Sequence, residues 1–278
     1  MDIRSVAIVG VGLLGGSIGL AIRNRFPHVD VLGIGRSRER LDVAVQCGSI
    51  SRYLVQPTSQ PIPADLVVIC SPVDTIAEHA VAIERNSPQP ILITDVGSTK
   101  ASIARMAVSA PCPRFVPAHP MAGSEKQGVE HALAGLFQDR LCLVTPTPIN
   151  SAELIAKTNQ FWQHLGCRIE IMTPEEHDRV LARTSHAPHM VATAMVQALP
   201  TAMHLCVGSG FRDTTRLAAG DPTIWRAICD DNATEIGGAL AELITELTHL
   251  KQLIEEKNPT AVGDYLESAK KVRDDLGS

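Results

Sequence analysis

The residues best suited to chemistry fall in a few short segments. Gly10-Val11-Gly12-Leu13-Leu14-Gly15 is a glycine-rich turn, and Asp95-Val96-Gly97-Ser98-Thr99-Lys100 sets a hydroxyl between an acid and a cation. His119-Pro120-Met121-Ala122-Gly123-Ser124-Glu125 is a polar stretch led by an imidazole. An unperturbed imidazole titrates near pH ~6.5, so it can take up a proton under neutral conditions. Ser185-His186-Ala187-Pro188-His189 brings two more imidazoles. Phe211-Arg212-Asp213-Thr214-Thr215-Arg216 adds guanidinium groups of the kind that grip carboxylates bidentately. Asp221-Pro222-Thr223-Ile224-Trp225 carries one of only two tryptophans, so its position is informative. His177, His186 and His189 together with an acid could supply zinc donors. No H-E-x-x-H or comparable motif joins them, and no metal is expected.

The elements that must position these residues come in two kinds. Up to Met172, short apolar runs at 5–9, 29–34, 66–70, 91–95, 115–117, 141–145 and 168–172 read as strands. Helical patterns at 17–24, 38–46, 100–107 and 152–165 lie between them. Such alternation predicts βαβ units and a parallel, doubly wound sheet. From Thr173 the strand signals stop. Thr173-Pro174-Glu175-Glu176 has the cap, the first-position proline and the first-turn acids of a helix start, and Asp221-Pro222 repeats it. Ile236, Leu240, Leu243, Leu247, Leu250 and Ile254 follow 4-3-4-3-4 spacing, the seam of a helix pressed on another helix. That seam packs either within the domain or against a second subunit. The expected plan is a Rossmann-type domain over residues 1–172 and an all-helical domain over 173–278.

The glycine turn follows the first strand and opens the first helix, the context in which it binds a dinucleotide. Gly10 permits the tight turn, Gly12 lets backbone approach a pyrophosphate, and Gly15 lets helix and strand pack closely. At the end of the second strand an acid usually holds the ribose hydroxyls of NAD. This chain reads Gly33-Ile34-Gly35-Arg36-Ser37-Arg38 there, with no acid at that point. Arg36 and Ser37 suit a 2′-phosphate, which favours NADP with NAD as the alternative. Read otherwise, Arg36, Arg38 and Arg40 are a solvated helix face.

Composition narrows the partners. A formal net charge of −5 argues against nucleic acid, which needs a basic footprint. No apolar run reaches the ~20 residues that span a bilayer, so no membrane partner is expected. Seven scattered cysteines without a C-x-x-C pair, and no charged-then-apolar leader, predict free thiols and a cytoplasmic location.

Taken in order, G-x-G-L-x-G-G-S at 10–17, C-S-P-V at 70–73, D-x-G-S-x-K at 95–100 and H-P-M-A-G-S-E-K-x-G at 119–128 resemble the prephenate/arogenate dehydrogenase family. S-H-x-P-H at 185–189, F-R-D-x-T-R at 211–216 and D-P-x-x-W at 221–225 extend the resemblance over nearly the whole chain. It implies hydride removal from C4 of a cyclohexadienol with loss of the ring carboxylate as CO2, on the route to tyrosine. By the same resemblance His119 is the catalytic base and Ser98 hydrogen-bonds the same hydroxyl. Arg216 matches the substrate-binding arginine, oriented by Asp213 if the segment is helical. Ser124 and Glu125 line the substrate site. His189 contacts the substrate side chain or packs as a core histidine, and Trp225 walls the site or the core. Ser71, Pro72 and Val73 join Gly10, Gly12, Leu13, Leu14 and Gly15 around the cofactor. Family members resembling this chain pair through the helical half, so a homodimer is expected. No appended ligand-sensing or mutase domain is expected.

Two other readings compete. A β-hydroxyacid dehydrogenase shares the glycine loop and the domain plan but generally uses a helical lysine, for which no segment here matches. A non-catalytic nicotinamide-sensing regulator that bound DNA would need a basic recognition helix. Prephenate and arogenate differ only in a keto against an amino group, and sequence alone leaves both open.

Overall fold

The computed structural model describes residues 3–88, 92–123 and 126–277. Ser124 and Glu125 lie outside the described residues. The chain divides into two compact units, Met1–Asn232 and Ala233–Ser278.

In the first unit, β1 (Ser5–Val9), β2 (Asp30–Gly35), β3 (Arg52–Val55), β4 (Leu66–Ile69) and β5 (Leu92–Asp95) form one sheet in the order β3-β2-β1-β4-β5. Every pairing in it is parallel. Its central strands are continuous β-branched or leucine runs buried on both faces, as a sheet sandwiched by helices requires. The helices threaded between the strands are α1 (Leu13–Arg25), α2 (Arg38–Gln46), α3 (Val73–Asn86) and α4 (Ala101–Ser109). β3 and α3 had not been expected. β3 is a four-residue edge strand with both ends exposed, so it carries little periodic signal, and α3 starts directly after Pro72.

The expected single sheet is corrected beyond β5. The run at 115–117 makes only one bridge, between Phe115 and Ile93. Pro117 has no N–H to continue the ladder. The chain then enters a second sheet, β6 (Ala118–Pro120), β7 (Leu141–Val144) and β8 (Arg168–Ile171), in which β6 runs antiparallel to β7. α5 (Ala152–His164) covers this region and buries Phe161 and Trp162 in the main core with Phe137.

α6 (Pro174–Leu181) begins as its start signal predicts, with the Thr173 hydroxyl accepting from Glu176 N. A π-helical turn at Ala182–His186 joins it to α7 (Ala187–Gln197), whose first turn contains Pro188. Proline cannot donate back to the preceding turn, which accounts for the irregular step. α8 (Ser209–Thr215), a 3-10 turn at Arg216–Ala219 and α9 (Pro222–Asp231) complete the unit. Asp221 caps α9 by accepting from Thr223 N at 2.6 Å.

The second unit is a helix pair, α10 (Ala233–Glu255) and α11 (Pro259–Asp275), tied by Tyr265 Oη donating to Glu246 at 3.2 Å. Of the apolar seam, Leu243, Leu247 and Ile254 are exposed, as is Ile244 beside it. Among the described residues no helix is long and apolar enough to cross a membrane.

Candidate active site

The strand order reverses between β1 and β4, the switch point where open α/β sheets bind ligands. Gly10–Gly15 leaves β1 there, and Ser71-Pro72-Val73 leaves β4 beside it. Gly10 has φ +87°, and a Cβ at that position would come within 2.9 Å of the Cys70 carbonyl oxygen. A Cβ on Gly15 would lie 2.3 Å from the Gly10 carbonyl oxygen. Both positions therefore demand glycine. Gly12 caps α1 with no side chain on its N–H groups, and a Cβ there would meet nothing within 4 Å. Leu13 and Leu14, both half-buried, form the first turn above it. An uncapped helix N-terminus under a glycine turn fits a pyrophosphate. Thr75 Oγ1 donates to Ser71 Oγ at 2.9 Å or the Pro72 carbonyl at 2.8 Å, fixing the turn into α3.

At the end of β2, Arg36 is exposed and makes no ion pair or hydrogen bond among the described residues. Ser37 is committed elsewhere. Its hydroxyl caps α2 by accepting from Arg40 N at 3.3 Å and donates to Glu39 Oε2 at 2.7 Å. Arg38 reaches Tyr53, donating to its hydroxyl at 3.3 Å.

The turn after β5 is held by a buried ion pair. Lys100 Nζ donates to Asp95 Oδ2 at 2.7 Å, to the Gly97 carbonyl at 2.7 Å and to the Thr99 carbonyl at 3.2 Å, which satisfies all three protons. Asp95 also accepts from Gly97 N at 2.8 Å and, through Oδ1, from Ala118 N at 3.0 Å. One carboxylate thus joins the turn bearing Ser98 to the strand bearing His119.

His119, half-buried on β6, faces α6. Its Nδ1 lies 2.9 Å from His177 Nε2, and His177 Nδ1 lies 2.8 Å from Asp178 Oδ1. A carboxylate can only accept, so His177 carries its proton on Nδ1 and accepts through Nε2. His119 must then donate from Nδ1, which leaves its Nε2 lone pair without a partner among the described residues. Asp178 accepts from Lys100 N and Ala101 N as well, at 2.8 Å each, and so caps α4.

Asn232 closes the arrangement. Its Nδ2 donates to the Asp178 carbonyl at 2.9 Å and to His186 Nδ1 at 3.3 Å. The Ser98 backbone favours the protonated form of the His186 ring, against the larger effect of burial. Thr99 Oγ1 donates to Asp231 Oδ2. The Ser98 hydroxyl has no partner among the described residues.

Of the residues expected at the substrate, His189 is buried and stacks on half-buried Trp225 with ring centroids 3.5 Å apart and planes at 16°. His186 meets the same indole edge-on at 6.0 Å. Arg216 is exposed. The expected Asp213–Arg216 ion pair is absent among the described residues, which is a correction. α8 ends at Thr215 and Arg216 opens a tighter turn, and two water-exposed side chains gain little from pairing.

Burial governs the protonation of this cluster. Removal from water holds His119 well below an ordinary imidazole, and the fields of His177, Lys100 and His186 add to that. His177 is pushed down to about 2 and His186 to about 4, burial being the main cause in each. His189 is lowered by burial alone. All four imidazoles are therefore neutral at pH 7.

Sequence reading had picked out Ser98, His119, His189, Arg216 and Trp225. It weighed His177 only as a metal donor and passed over Asp178 and Asn232. The signal available for Asp178 was an acid beside a histidine on the buried face of a well-marked helix. Asn232, at the end of α9, offered none.

Comparison with known proteins places this geometry. Residues 18–171 match the family described as "Prephenate dehydrogenase, nucleotide-binding domain", and residues 173–268 match "Prephenate dehydrogenase, dimerization domain". A cyclohexadienyl dehydrogenase of Zymomonas mobilis is 34% identical over 275 residues, 95% of this chain and 91% of its own. A crystal structure of prephenate dehydrogenase from A. aeolicus, in complex with hydroxyphenyl propionate and NAD+, superposes with a TM-score of 0.92 at 30% identity. It covers 99% of both chains. Synechocystis arogenate dehydrogenase gives 0.82 at 26% identity, over 98% of this chain and 99% of that one. The chain therefore belongs to the prephenate/arogenate dehydrogenase family, oxidoreductases of the route to tyrosine that couple a nucleotide-binding domain to a helical dimerization domain.

Proposed function

We propose that this enzyme oxidatively decarboxylates prephenate to 4-hydroxyphenylpyruvate, in preference to arogenate, and that it uses NADP in preference to NAD. The observation that carries the reading is His119. It is neutral on β6, whose Ala118 N is tied by Asp95 to the Ser98 turn, and its Nε2 lone pair has no partner among the described residues.

The bound dinucleotide supplies the hydride acceptor. The chain's own residues have the remaining tasks. His119 Nε2 takes the proton of the C4 hydroxyl, and Ser98 hydrogen-bonds the same oxygen. As hydride leaves C4, the bond from the ring to its carboxylate breaks, CO2 departs and the ring becomes aromatic. A base with a depressed pKa is available in its working form over the whole neutral range. Arg216 grips a substrate carboxylate, and Ser124 and Glu125 line the same site. Gly10, Gly12, Leu13, Leu14, Gly15, Ser71, Pro72 and Val73 cradle the dinucleotide, with Arg36 on the 2′-phosphate. The division of labour falls near Thr173, with cofactor contacts before it and most substrate contacts after it.

Preference for prephenate rests on His189. A buried neutral imidazole stacked on Trp225 can donate to a keto acid side chain, whereas an ammonium group is better met by an acid. The similarity to both a prephenate and an arogenate dehydrogenase makes the comparison of substrates the informative experiment. kcat/KM for prephenate should exceed that for arogenate, and the reverse order would overturn the preference.

The working unit is read as a homodimer. Leu243, Ile244, Leu247 and Ile254 leave an apolar stripe on α10 uncovered by the chain itself, within the region that matches a dimerization domain.

A further inference from the structure

We propose that His177 and Asp178 are positioning residues for the reaction: they lock His119 in the Nδ1–H tautomer and share the positive charge it gains. This rests on the reading of His119 as the base. Nδ1 of His119 has one acceptor, His177 Nε2 at 2.9 Å, and His177 in turn has one anion, Asp178 Oδ1 at 2.8 Å. His177 is fully buried and Asp178 nearly so, which removes the competition from water that would let either ring turn over.

A neutral imidazole exists as two tautomers, and only the one protonated on Nδ1 offers Nε2 as a base. In this chain the choice follows from the partners. Asp178 accepts, so His177 is protonated on Nδ1. His177 then accepts, so His119 is protonated on Nδ1. When the C4 O–H bond breaks and a new N–H bond forms at His119 Nε2, the imidazolium is hydrogen-bonded through His177 to a carboxylate. No oxidant or further reactant is needed, because the proton and its charge stay on the three side chains.

Asp178 has a second duty that makes the placement mechanical as well as electronic. It caps α4 through Lys100 N and Ala101 N at 2.8 Å each. The same carboxylate that anchors the base therefore anchors the turn carrying Ser98. Asn232 fixes the Asp178 backbone and the His186 ring. A shift of α6 would move the base and the hydroxyl together.

The test is nitrogen-15 NMR of the histidine rings in the full-length enzyme at pH 7, with kinetics of two variants. His119 and His177 should both show a protonated Nδ1 and a bare Nε2, and a proton on Nε2 of either would overturn the proposal. His177→Leu should lower kcat on the order of 10²-fold, the lower end of a positioned base's contribution, with KM unchanged. His177→Gln can accept from His119 and donate to Asp178, so it should restore most of the loss. If a folded His177→Gln enzyme is as impaired as His177→Leu, the pair is only structural. Should the leucine variant fail to fold, the tautomers and the glutamine variant still decide. The base assignment fails separately: an active His119→Asn enzyme would refute it and leave the tautomer result standing.

Discussion

Lys100 Nζ sits 2.7 Å from Asp95 Oδ2, and neither side chain has any exposure to water. Such a pair contributes little net stability against an apolar substitute of the same shape, because both ions are stripped of water. Its value is positional: Asp95 also holds Ala118 N, one residue before His119. Removing one partner leaves a buried charge without compensation. Lys100→Met should therefore cost about 3–5 kcal/mol of unfolding free energy, measured by denaturant titration. Adding Asp95→Asn to it should recover part of that loss. A single variant within about 1 kcal/mol of wild type would show that the Asp95 carboxylate finds another partner.

Acid should destabilise the protein through its histidines. His119, His177 and His186 are neutral in the folded state with lowered pKa values, but titrate near ~6.5 when unfolded. The unfolded chain then binds more protons below about pH 6.5, so stability falls as pH drops from there towards the folded value of about 4 for His186. Asp178, whose carboxyl is raised chiefly by burial, works in the opposite sense at the acid end of that window. Melting temperature should be level above pH 7 and decline steadily from pH 6.5 to 5. Replacing His186 with Asn should flatten the decline. A melting temperature constant to pH 5 would mean these rings carry protons in the fold.

Base and clamp should separate kinetically. His119→Asn should lower kcat on the order of 10²–10⁴-fold while the dissociation constant of the dinucleotide, read by fluorescence titration, stays put. Arg216→Ala should act on KM, since a carboxylate grip provides uniform binding. For the wild-type enzyme, the acid limb of kcat/KM should lie below pH 6.5, following the downward shift of His119. A near wild-type rate in His119→Asn would remove the residue from the chemistry.

Much of the fold was legible because its elements carry strong local signals. The buried runs of β1 and β4 read as strands without ambiguity, and Thr173-Pro174-Glu175-Glu176 marked the start of α6 to the residue. β3 was missed because it is short and lies at the edge, where neither face needs to be apolar. The strand at 118–120 was placed three residues early: Pro117 ends the parallel ladder after a single bridge, and Ala118 N turns instead to the Asp95 carboxylate, a tertiary contact that no local pattern shows. The same limit applies to the site. Motifs name single residues, but the His119–His177–Asp178 chain links positions 58 residues apart. No spacing rule reaches that far. The expected Asp213–Arg216 pair does not form, because the helix that would align the two ends one residue short.

Assembly can be tested at the exposed stripe of α10. Leu247 and Ile254 are each 58% exposed, and Ile244 is 63% exposed, on a helix whose apolar spacing continues for five turns. Sedimentation at micromolar concentration should give about twice the 29.8 kDa chain mass. Leu247→Asp should shift it towards the single-chain value, since an isologous two-fold contact places the new charge against its own copy. A wild-type mass equal to one chain would refute the dimer.

Cofactor choice should turn on Arg36 and much less on its neighbour. The end of β2 has Gly35 where an acid would repel a 2′-phosphate, and Arg36 follows it, exposed and without a protein partner among the described residues. Ser37 gives its proton to Glu39 and its lone pair to Arg40 N, so it has little left to offer a ligand. Arg38 is drawn off towards Tyr53. A charge-assisted hydrogen bond contributes roughly 1.5–3 kcal/mol, which is about one to two powers of ten in affinity. Arg36→Ala should therefore raise the dissociation constant for NADP by about ten- to a hundredfold and leave that for NAD nearly unchanged. Ser37→Ala should instead lower thermal stability through loss of the helix cap, by about 1 kcal/mol, with a small effect on NADP. Calorimetric titration of both dinucleotides against the three proteins separates these outcomes. Equal wild-type affinity for NAD and NADP, or parallel losses in Arg36→Ala, would make Arg36 a surface charge and overturn the NADP preference.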